Sequence, residues 1–225
     1  MKIHLLSILV LCALTSVANA ANSVDLKVTG KLSSGSCVPT LENGGIVDFG
    51  HIPLGNLSKT ETNQLGHKTQ NLTVTCDNPI AVGISITDNR SDSAIEGIVI
   101  NDTNPAGYDL TITRDGLGLG KTSEGVNIGT YTLSVDVANL KSDGVKVDLL
   151  RSDYGEPFEN YTTGLFNPAD QRILATAAVG QDTPLAAKVT VYPLWIIAAI
   201  QGTDTLAITD QASFDGSATI ALVYI

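Results

Sequence analysis

Residues 37–76 run from CVPTL to QNLTVTC, and the two cysteines at their ends organise the rest of the chain. Cys37 and Cys76 both lie in predicted strands, and two turn clusters rich in glycine and asparagine lie between them, at 42–45 and 54–56. A bridge between the cysteines would tie an early strand to a later one. On the chain-entropy account, closing a loop of about 40 residues contributes roughly 4 kcal/mol.

The N-terminus has the pattern of a cleaved secretory signal. Met1 and Lys2 form a short basic start, an apolar run follows at 5–14, and residues 17–20 (VANA) supply the small residues of a cleavage site. The run is too short to span a bilayer. We therefore expect a signal peptide over residues 1–20 and a mature chain over 21–225. Cys12 would leave with the signal, and in an oxidising compartment Cys37 and Cys76 would pair.

The charge balance excludes two classes of partner. The chain has 13 lysines and arginines against 23 aspartates and glutamates, a formal net charge of −10. Nucleic-acid binding and binding to anionic membranes both require a basic patch. We expect neither, and no membrane span in the mature chain.

The motifs that would indicate an enzyme or a cofactor are missing from the sequence. Residues 116–122 (GLGLGKT) approach a phosphate-binding loop, but Asp115 stands where that motif requires glycine, and no helical pattern follows. There is no G-x-S-x-G turn and no calcium loop. The histidines of the mature chain, His51 and His67, stand apart from any cysteine pair. The sequence predicts a protein without catalysis, cofactor or metal.

Short alternating apolar segments recur about every ten residues and predict an all-β protein. About ten such strands, each with one half-buried face, favour an antiparallel β-sandwich in one domain over 21–225. We interpret residues 153–184 as an irregular excursion that enlarges its middle, in which 170–179 could form one short helix. The predicted strands include 24–32, 46–49, 72–76, 80–86, 131–137, 185–191, a buried strand or bend at 193–200, and 216–224.

The two ends of the chain resemble the pilin-like subunits of the chaperone–usher pathway of Gram-negative bacteria. They share a signal peptide, a bridge from the first strand to a strand some 40 residues later, and a last strand with a penultimate aromatic. In this chain the last feature is carried by Gly216, Ala218, Ile220, Leu222 and Tyr224. The resemblance implies an immunoglobulin-like sandwich lacking its final strand, which a periplasmic chaperone and then another subunit supply.

A closer resemblance, over nearly all of the mature chain, is to the GltF-like periplasmic proteins within that class. It is carried by short blocks in a fixed order. They are GSCVP (35–39), GGIVDFG (44–50), LTVTC (72–76), DNR (88–90), GLGLG (116–120), YPL (192–194) and DGS (215–217).

These resemblances imply a structural or interaction protein of the periplasm or of cell-surface fimbriae, acting in adhesion by β-strand augmentation. The expected partners are a periplasmic chaperone, an usher and other fimbrial subunits. With 24–32 as the first strand, only 21–23 precede it, so we expect an accessory or terminal subunit that lacks a donor strand. The alternative is a self-complete periplasmic binding or sensor domain whose extra central strands fill the groove from within.

Overall fold

The computed structural model describes residues 26–30, 35–112, 114–208 and 212–225. The chain divides into two compact units, Met1–Ser34 and Gly35–Ile225. In the first unit, the described residues 26–30 form neither helix nor strand. No helix of the described residues is long and apolar enough to cross a membrane. The predicted signal peptide, residues 1–20, lies outside the described residues.

The regular secondary structure of the second unit is mostly antiparallel strand, which confirms the predicted all-β class. Its helical segments are short, namely α1 (Thr203–Leu206) and 3₁₀ turns at Glu42–Gly45, Leu54–Asn56, Ser91–Ser93 and Val137–Asn139. The strands of the described residues are β1 (Cys37–Leu41), β2 (Asn63–Asp88), β3 (Val99–Ile100), β4 (Leu110–Thr111), β5 (Leu117–Gly118), β6 (Gly129–Val135), β7 (Lys141–Ser142), β8 (Val145–Lys146), β9 (Asp148–Ser152), β10 (Glu159–Asn160), β11 (Ile173–Ala177), β12 (Ala186–Ile200) and β13 (Ala218–Tyr224).

Strand β2 organises the sheet, because its two halves have different partners. The first half pairs with β1 and β12, and the second half pairs with β11 and β13. Beyond these, β12 pairs with β6 and β7, while β11 pairs with β9. Strands β5, β8 and β10 pair with β6, β7 and β9 and bring the sheet to eleven strands, and β3 with β4 forms a separate hairpin.

The largest of three clusters of buried apolar residues takes side chains from both groups of strands that β2 connects. Leu72 from the first half of β2 and Ile84 from the second half belong to the same buried cluster, together with Leu194 of β12, Leu174 of β11 and Phe166. Because both groups contribute to one cluster, the sheet must curve around it. Burial of these side chains is the main favourable contribution to folding.

The prediction of a first strand at 24–32 is wrong for the residues that can be checked. Residues 26–30 are not in a strand, while 24, 25, 31 and 32 lie outside the described residues. Leu26 and Val28 are 89% and 86% exposed. The first strand of the domain is instead β1, because the bridge places Cys37 directly opposite Cys76. Alternation made 24–32 a good strand candidate, but it says nothing about which segment lies beside β2.

Two further local predictions are also wrong. Residues 46–49 form a loop and not a strand, after a turn in which Gly44 and Gly45 have φ of 64° and 82°. The proposed helix at 170–179 is instead β11, which lies between β9 and β2. Leu174 and Ala175 are both buried, and a strand covered on both faces is continuously apolar and has no alternation. Most of 153–184 is irregular, as expected, but β11 makes it part of the main sheet.

Candidate functional site

The disulfide joins β1 to β2 as the spacing of the cysteines suggested. Cys37 and Cys76 are bonded to each other and stand directly opposite in the antiparallel register. Both are buried and belong to the main core cluster. The bridge therefore holds β1 beside the first half of β2.

Strand β13 is an edge strand in the part of the chain that the structure describes. It pairs with β2 along its whole length, from Ala218 opposite Asp88 to Tyr224 opposite Val82. No other described strand pairs with its second side. Backbone groups on that side are therefore available to another strand.

Two hydrogen bonds at the ends of the β2–β13 ladder give the direction of the free groups. Asn89 N–H donates to the Ser217 carbonyl at 2.9 Å, and Ile225 N–H donates to the Ala81 carbonyl at 3.1 Å. The odd-numbered residues of this strand therefore face β2. Successive residues of an antiparallel strand point their backbone groups in opposite directions, so the even-numbered ones point theirs to the free side. These are Ala218, Ile220, Leu222 and Tyr224.

The side chains of β13 follow the expected alternation over most of its length. Ala218, Ile220 and Leu222 are half-buried and pack against the main core, whereas Thr219 and Ala221 are exposed. The residues with free backbone groups are therefore also the ones whose side chains face the core. A strand added at this edge would therefore bond to the backbone of the same residues whose side chains face the core.

Tyr224 departs from the alternation and joins the two edges. It is 54% exposed, and its hydroxyl accepts a hydrogen bond from Cys37 N–H at 3.0 Å. Asp77 N–H of β2 donates to the Ser36 carbonyl. Because backbone groups alternate in direction along a strand, those of Cys37 and Pro39 point away from β2. The outer edge of β1 therefore has few free donors, because the Cys37 N–H is occupied and Pro39 has none.

An apolar cavity of about 470 Å³ lies between these two edges. One wall is Leu41 with residues 45–47 and Phe49, which follow β1, and the other wall is residues 214–218 with Ile220. Leu133 of β6 with Leu194 and Ile196 of β12 form much of the floor. We call this space the groove. Its volume is in the range of known ligand sites.

Gly216, one of the predicted C-terminal positions, lets an aromatic ring approach the start of β13. A Cβ atom there would lie 2.8 Å from Cε1 of Tyr131, closer than such atoms come in proteins. Tyr131 lines the groove beside Gly216. Burial raises the pKa of the Tyr131 phenol, so the phenol stays neutral at physiological pH.

A cluster of polar contacts holds the segment that leads into β13. The Asp88 carboxylate accepts hydrogen bonds from Gly118 N–H and from Arg90 N–H, both at 2.9 Å. Ser93 Oγ accepts from Gly120 N–H at 2.9 Å. Gly118 has no space for a side chain, since a Cβ would lie 2.1 Å from the Arg90 carbonyl oxygen. The glycine run 116–120 is therefore fastened to the end of β2.

The same cluster reaches across to the last segment of the chain. The Arg90 guanidinium forms an ion pair with the Asp215 carboxylate and donates to its carbonyl at 3.3 Å. Asn89 Nδ2 donates to the hydroxyls of Ser217 and Thr219, each at 3.1 Å. Residues 88–90, 116–120 and 215–217 thus meet at one end of the groove. We call these three segments the β13 anchor.

Comparison with known proteins identifies the family. Residues 26–132 match the family described as "Protein of unknown function (DUF1120)". The chain is 27% identical to Protein GltF of Escherichia coli (strain K12) over 238 residues, 95% of this chain and 92% of that protein. It is 31% identical to Uncharacterized protein YhcF of the same organism over 229 residues, 95% of this chain and 94% of that protein. The chain belongs to the GltF-like family.

The GltF-like resemblance drawn from short blocks is thereby confirmed, and the structure brings several of those blocks together. Three of them form the β13 anchor, and residues 44–50 contribute to a wall of the groove. Of the predicted C-terminal positions, Gly216, Ala218 and Ile220 line the groove, whereas Leu222 and Tyr224 do not. The sequence did not predict the anchor or the wall formed by residues 45–47 and Phe49. The sequence signal that could have indicated the anchor is the pair of charged residues Asp88 and Arg90, which follows the apolar alternation of 80–86.

In this GltF-like protein, a second polar network holds the irregular residues that follow β9. Arg172 Nε and Nη2 donate to the two carboxylate oxygens of Asp153 at 2.8 and 3.0 Å, and Nη1 donates to the Leu165 carbonyl at 3.0 Å. The Arg172 hydrogen bond lowers the pKa of Asp153, whereas burial raises the pKa of the nearby Asp115. The charges of Arg172 and Asp153 are satisfied by each other, which is typical of a structural cluster.

His51 and His67, the two histidines of the predicted mature chain, do not belong to a possible metal site among the described residues. No group of three or more His, Cys, Asp or Glu side chains among those residues is placed to hold a metal ion. The His67 ring stacks on Trp195, with centroids 3.7 Å apart.

Proposed function

We propose that this GltF-like protein is a non-enzymatic interaction protein that accepts a β-strand along the free edge of β13. The observation that carries the proposal is the orientation of Ala218, Ile220 and Leu222. The backbone N–H and C=O groups of all three point away from β2, and Ala218 and Ile220 line the groove. In β-augmentation, main-chain hydrogen bonds supply affinity and pockets for alternate side chains supply register.

The contrast between the two edges favours β13 as the pairing edge. Soluble proteins usually protect an exposed edge with charges, proline or a bulge. Residues 218–224 (ATIALVY) have none of these charges or prolines, whereas β1 has Pro39 and a Cys37 N–H that is already bonded to Tyr224. An incoming strand would therefore bond to β13 and leave β1 largely unpaired.

The finer fold that we propose is the pilin-like, immunoglobulin-like sandwich with a missing strand. It is supported by the two groups of strands around one core and by the groove between β1 and β13. With it we propose extracytoplasmic localisation, and as partners a periplasmic chaperone, an usher and other fimbrial subunits.

Residues 24–32 are the donor segment that we propose for a neighbouring copy. The expectation that the chain lacks a donor strand depended on these residues being the first strand, but β1 takes that place. Apolar residues alternate at positions 24, 26, 28 and 32, and Leu26 and Val28 are exposed. Such a segment has one apolar face available for a groove.

A self-complete binding or sensor domain is the second candidate. One observation favours it, namely that Leu41, residues 45–47 and Phe49 line the groove from within the same chain. If these residues fill the site sufficiently, no strand would be accepted.

A labelled peptide separates the two candidates. A fluorescent peptide with the sequence of residues 22–34 is titrated onto the full chain, and a peptide with aspartate at positions 26 and 28 serves as the negative probe. Ala218→Leu, which extends a side chain into the groove, should weaken binding at least tenfold. Ala221→Leu, on the exposed face of the same strand, is the matched control and should bind like the wild type. Absence of binding, or equal binding by both variants, would contradict the proposal.

A further inference from the structure

The two walls of the groove meet in one aromatic contact. Phe49, in the loop after β1, and Phe214, just before β13, both line the cavity, and each is half-buried. Their ring centroids are 6.0 Å apart with the planes at 64°, an edge-to-face pair. The pair therefore spans the groove from one wall to the other.

Hydrogen bonds hold the loop that carries Phe49 at its base, whereas its tip is held by the Phe49 side chain, which packs against the core and has its ring centroid 5.8 Å from the Lys68 ammonium. The Gln70 amide donates to the carbonyls of Glu42 and Ile46, and the Glu42 carboxylate accepts from Asn71. Beyond Ile46, residues 47–52 make no backbone-to-backbone hydrogen bond within the described part of the chain. A segment without such bonds opens at low free-energy cost.

Backbone geometry allows this tip to move about its ends. Gly45 precedes it with φ of 82°, Gly50 has φ of 74° with open space around it, and Pro53 follows. The opposite wall is held more firmly, because Asp215 is bonded to Arg90 and to the Leu119 carbonyl. Movement is therefore concentrated in the wall that bears Phe49.

We infer that residues 46–50 form a lid, closed by the Phe49–Phe214 contact, which must open before a strand can enter beside β13. The inference deepens the proposed function and rests on it. An edge-to-face aromatic pair favours the closed arrangement by roughly 2- to 12-fold beyond the area that it buries. The lid therefore restricts access to the groove without blocking it.

Binding kinetics of the 22–34 peptide test the lid, measured by stopped-flow fluorescence on the full chain. Phe49→Ala should raise the association rate constant by roughly 2- to 12-fold, because more molecules have an open groove. Phe214→Ala should act in the same direction. Phe158→Ala, a half-buried aromatic that does not line the groove, is the matched control and should leave the rate unchanged. An unchanged or lower rate for Phe49→Ala would overturn the lid and leave the proposed function standing.

If no variant binds the peptide, the proposed function fails, and a second measurement then tests whether the lid exists. The fluorescence of an anilinonaphthalene sulfonate dye reports accessible apolar surface. It should rise in Phe49→Ala and stay at the wild-type level in Phe158→Ala, with unchanged far-ultraviolet circular dichroism in both. Equal dye fluorescence in the wild type and Phe49→Ala would overturn the lid.

Discussion

Gly118→Ala is the substitution whose effect the structure specifies most closely. The added Cβ would lie 2.1 Å from the Arg90 carbonyl oxygen and 2.2 Å from Ser93 Oγ. Both neighbours are held in place, since Ser93 Oγ bonds Gly120 N–H and donates to that same Arg90 carbonyl. The β13 anchor would have to separate to accept one methyl group.

The cost has two parts. Forcing an extra methyl into a packed site costs about 1–3 kcal/mol, and weakening the Gly118 N–H bond to the Asp88 carboxylate costs about 1.5–3 kcal/mol. Together we expect a loss of about 2.5–6 kcal/mol in the free energy of unfolding. For a domain of this size that corresponds to a fall of roughly 5–24 °C in the melting temperature.

Thermal and urea unfolding, followed by circular dichroism, measure this loss. The control is Gly55→Ala, where a Cβ meets no atom within 4 Å. There we expect no loss, and a gain of up to about 1 kcal/mol from the less flexible unfolded chain. If Gly118→Ala unfolds within about 0.5 kcal/mol of the wild type, the anchor is not packed as described.

Three further predictions address other parts of the fold. Cys37→Ser and Cys76→Ser should lower the free energy of unfolding alike, by roughly 4 kcal/mol in urea titrations, since each removes the same bridge; clearly unequal losses would show that one cysteine has another role. In thermal unfolding, Thr219→Pro should destabilise the domain more than Ala218→Pro, because Thr219 N–H faces β2 whereas Ala218 N–H is free; the reverse order would mean that the ladder is shifted by one residue. Arg172 lowers the folded-state pKa of Asp153, so the stability from this pair is present above the unfolded pKa of about 3.9 and is lost as the pH falls through the lower folded value. The difference in free energy of unfolding between wild type and Asp153→Asn, from urea titrations between about pH 6 and pH 2, should therefore shrink as the pH falls. A difference that stays constant over this range would refute the assignment.

Much of the fold could be predicted from the sequence because it depends on local pattern. The buried run at 193–200 is part of β12, and the two cysteines stand opposite each other in neighbouring strands. Strands were predicted at 26–30 and 46–49 but do not form there, because alternation indicates that a segment can form a strand, not that a partner strand is available. β11 was missed because burial on both faces removes the alternation that indicates a strand.

The candidate site divides in the same way. The apolar alternation of 218–224 is a local pattern, and it indicated that the side chains of Ala218, Ile220 and Leu222 face the core. That they meet a partner strand stays a prediction. The β13 anchor depends on contacts between residues far apart in the chain, such as Arg90 with Asp215, 125 positions away. No spacing rule connects such residues, so only the folded chain brings them together.

The most direct test of the free edge is amide hydrogen exchange in β13, resolved residue by residue by nuclear magnetic resonance. In the chain alone, the amides of Ile220 and Leu222 should exchange quickly, while those of Thr219 and Ala221, which face β2, should be protected. Adding the 22–34 peptide should slow Ile220 and Leu222 and leave the other two unchanged. Protection of all four amides before any peptide is added, or continued fast exchange of Ile220 and Leu222 in its presence, would contradict an open edge that accepts a strand.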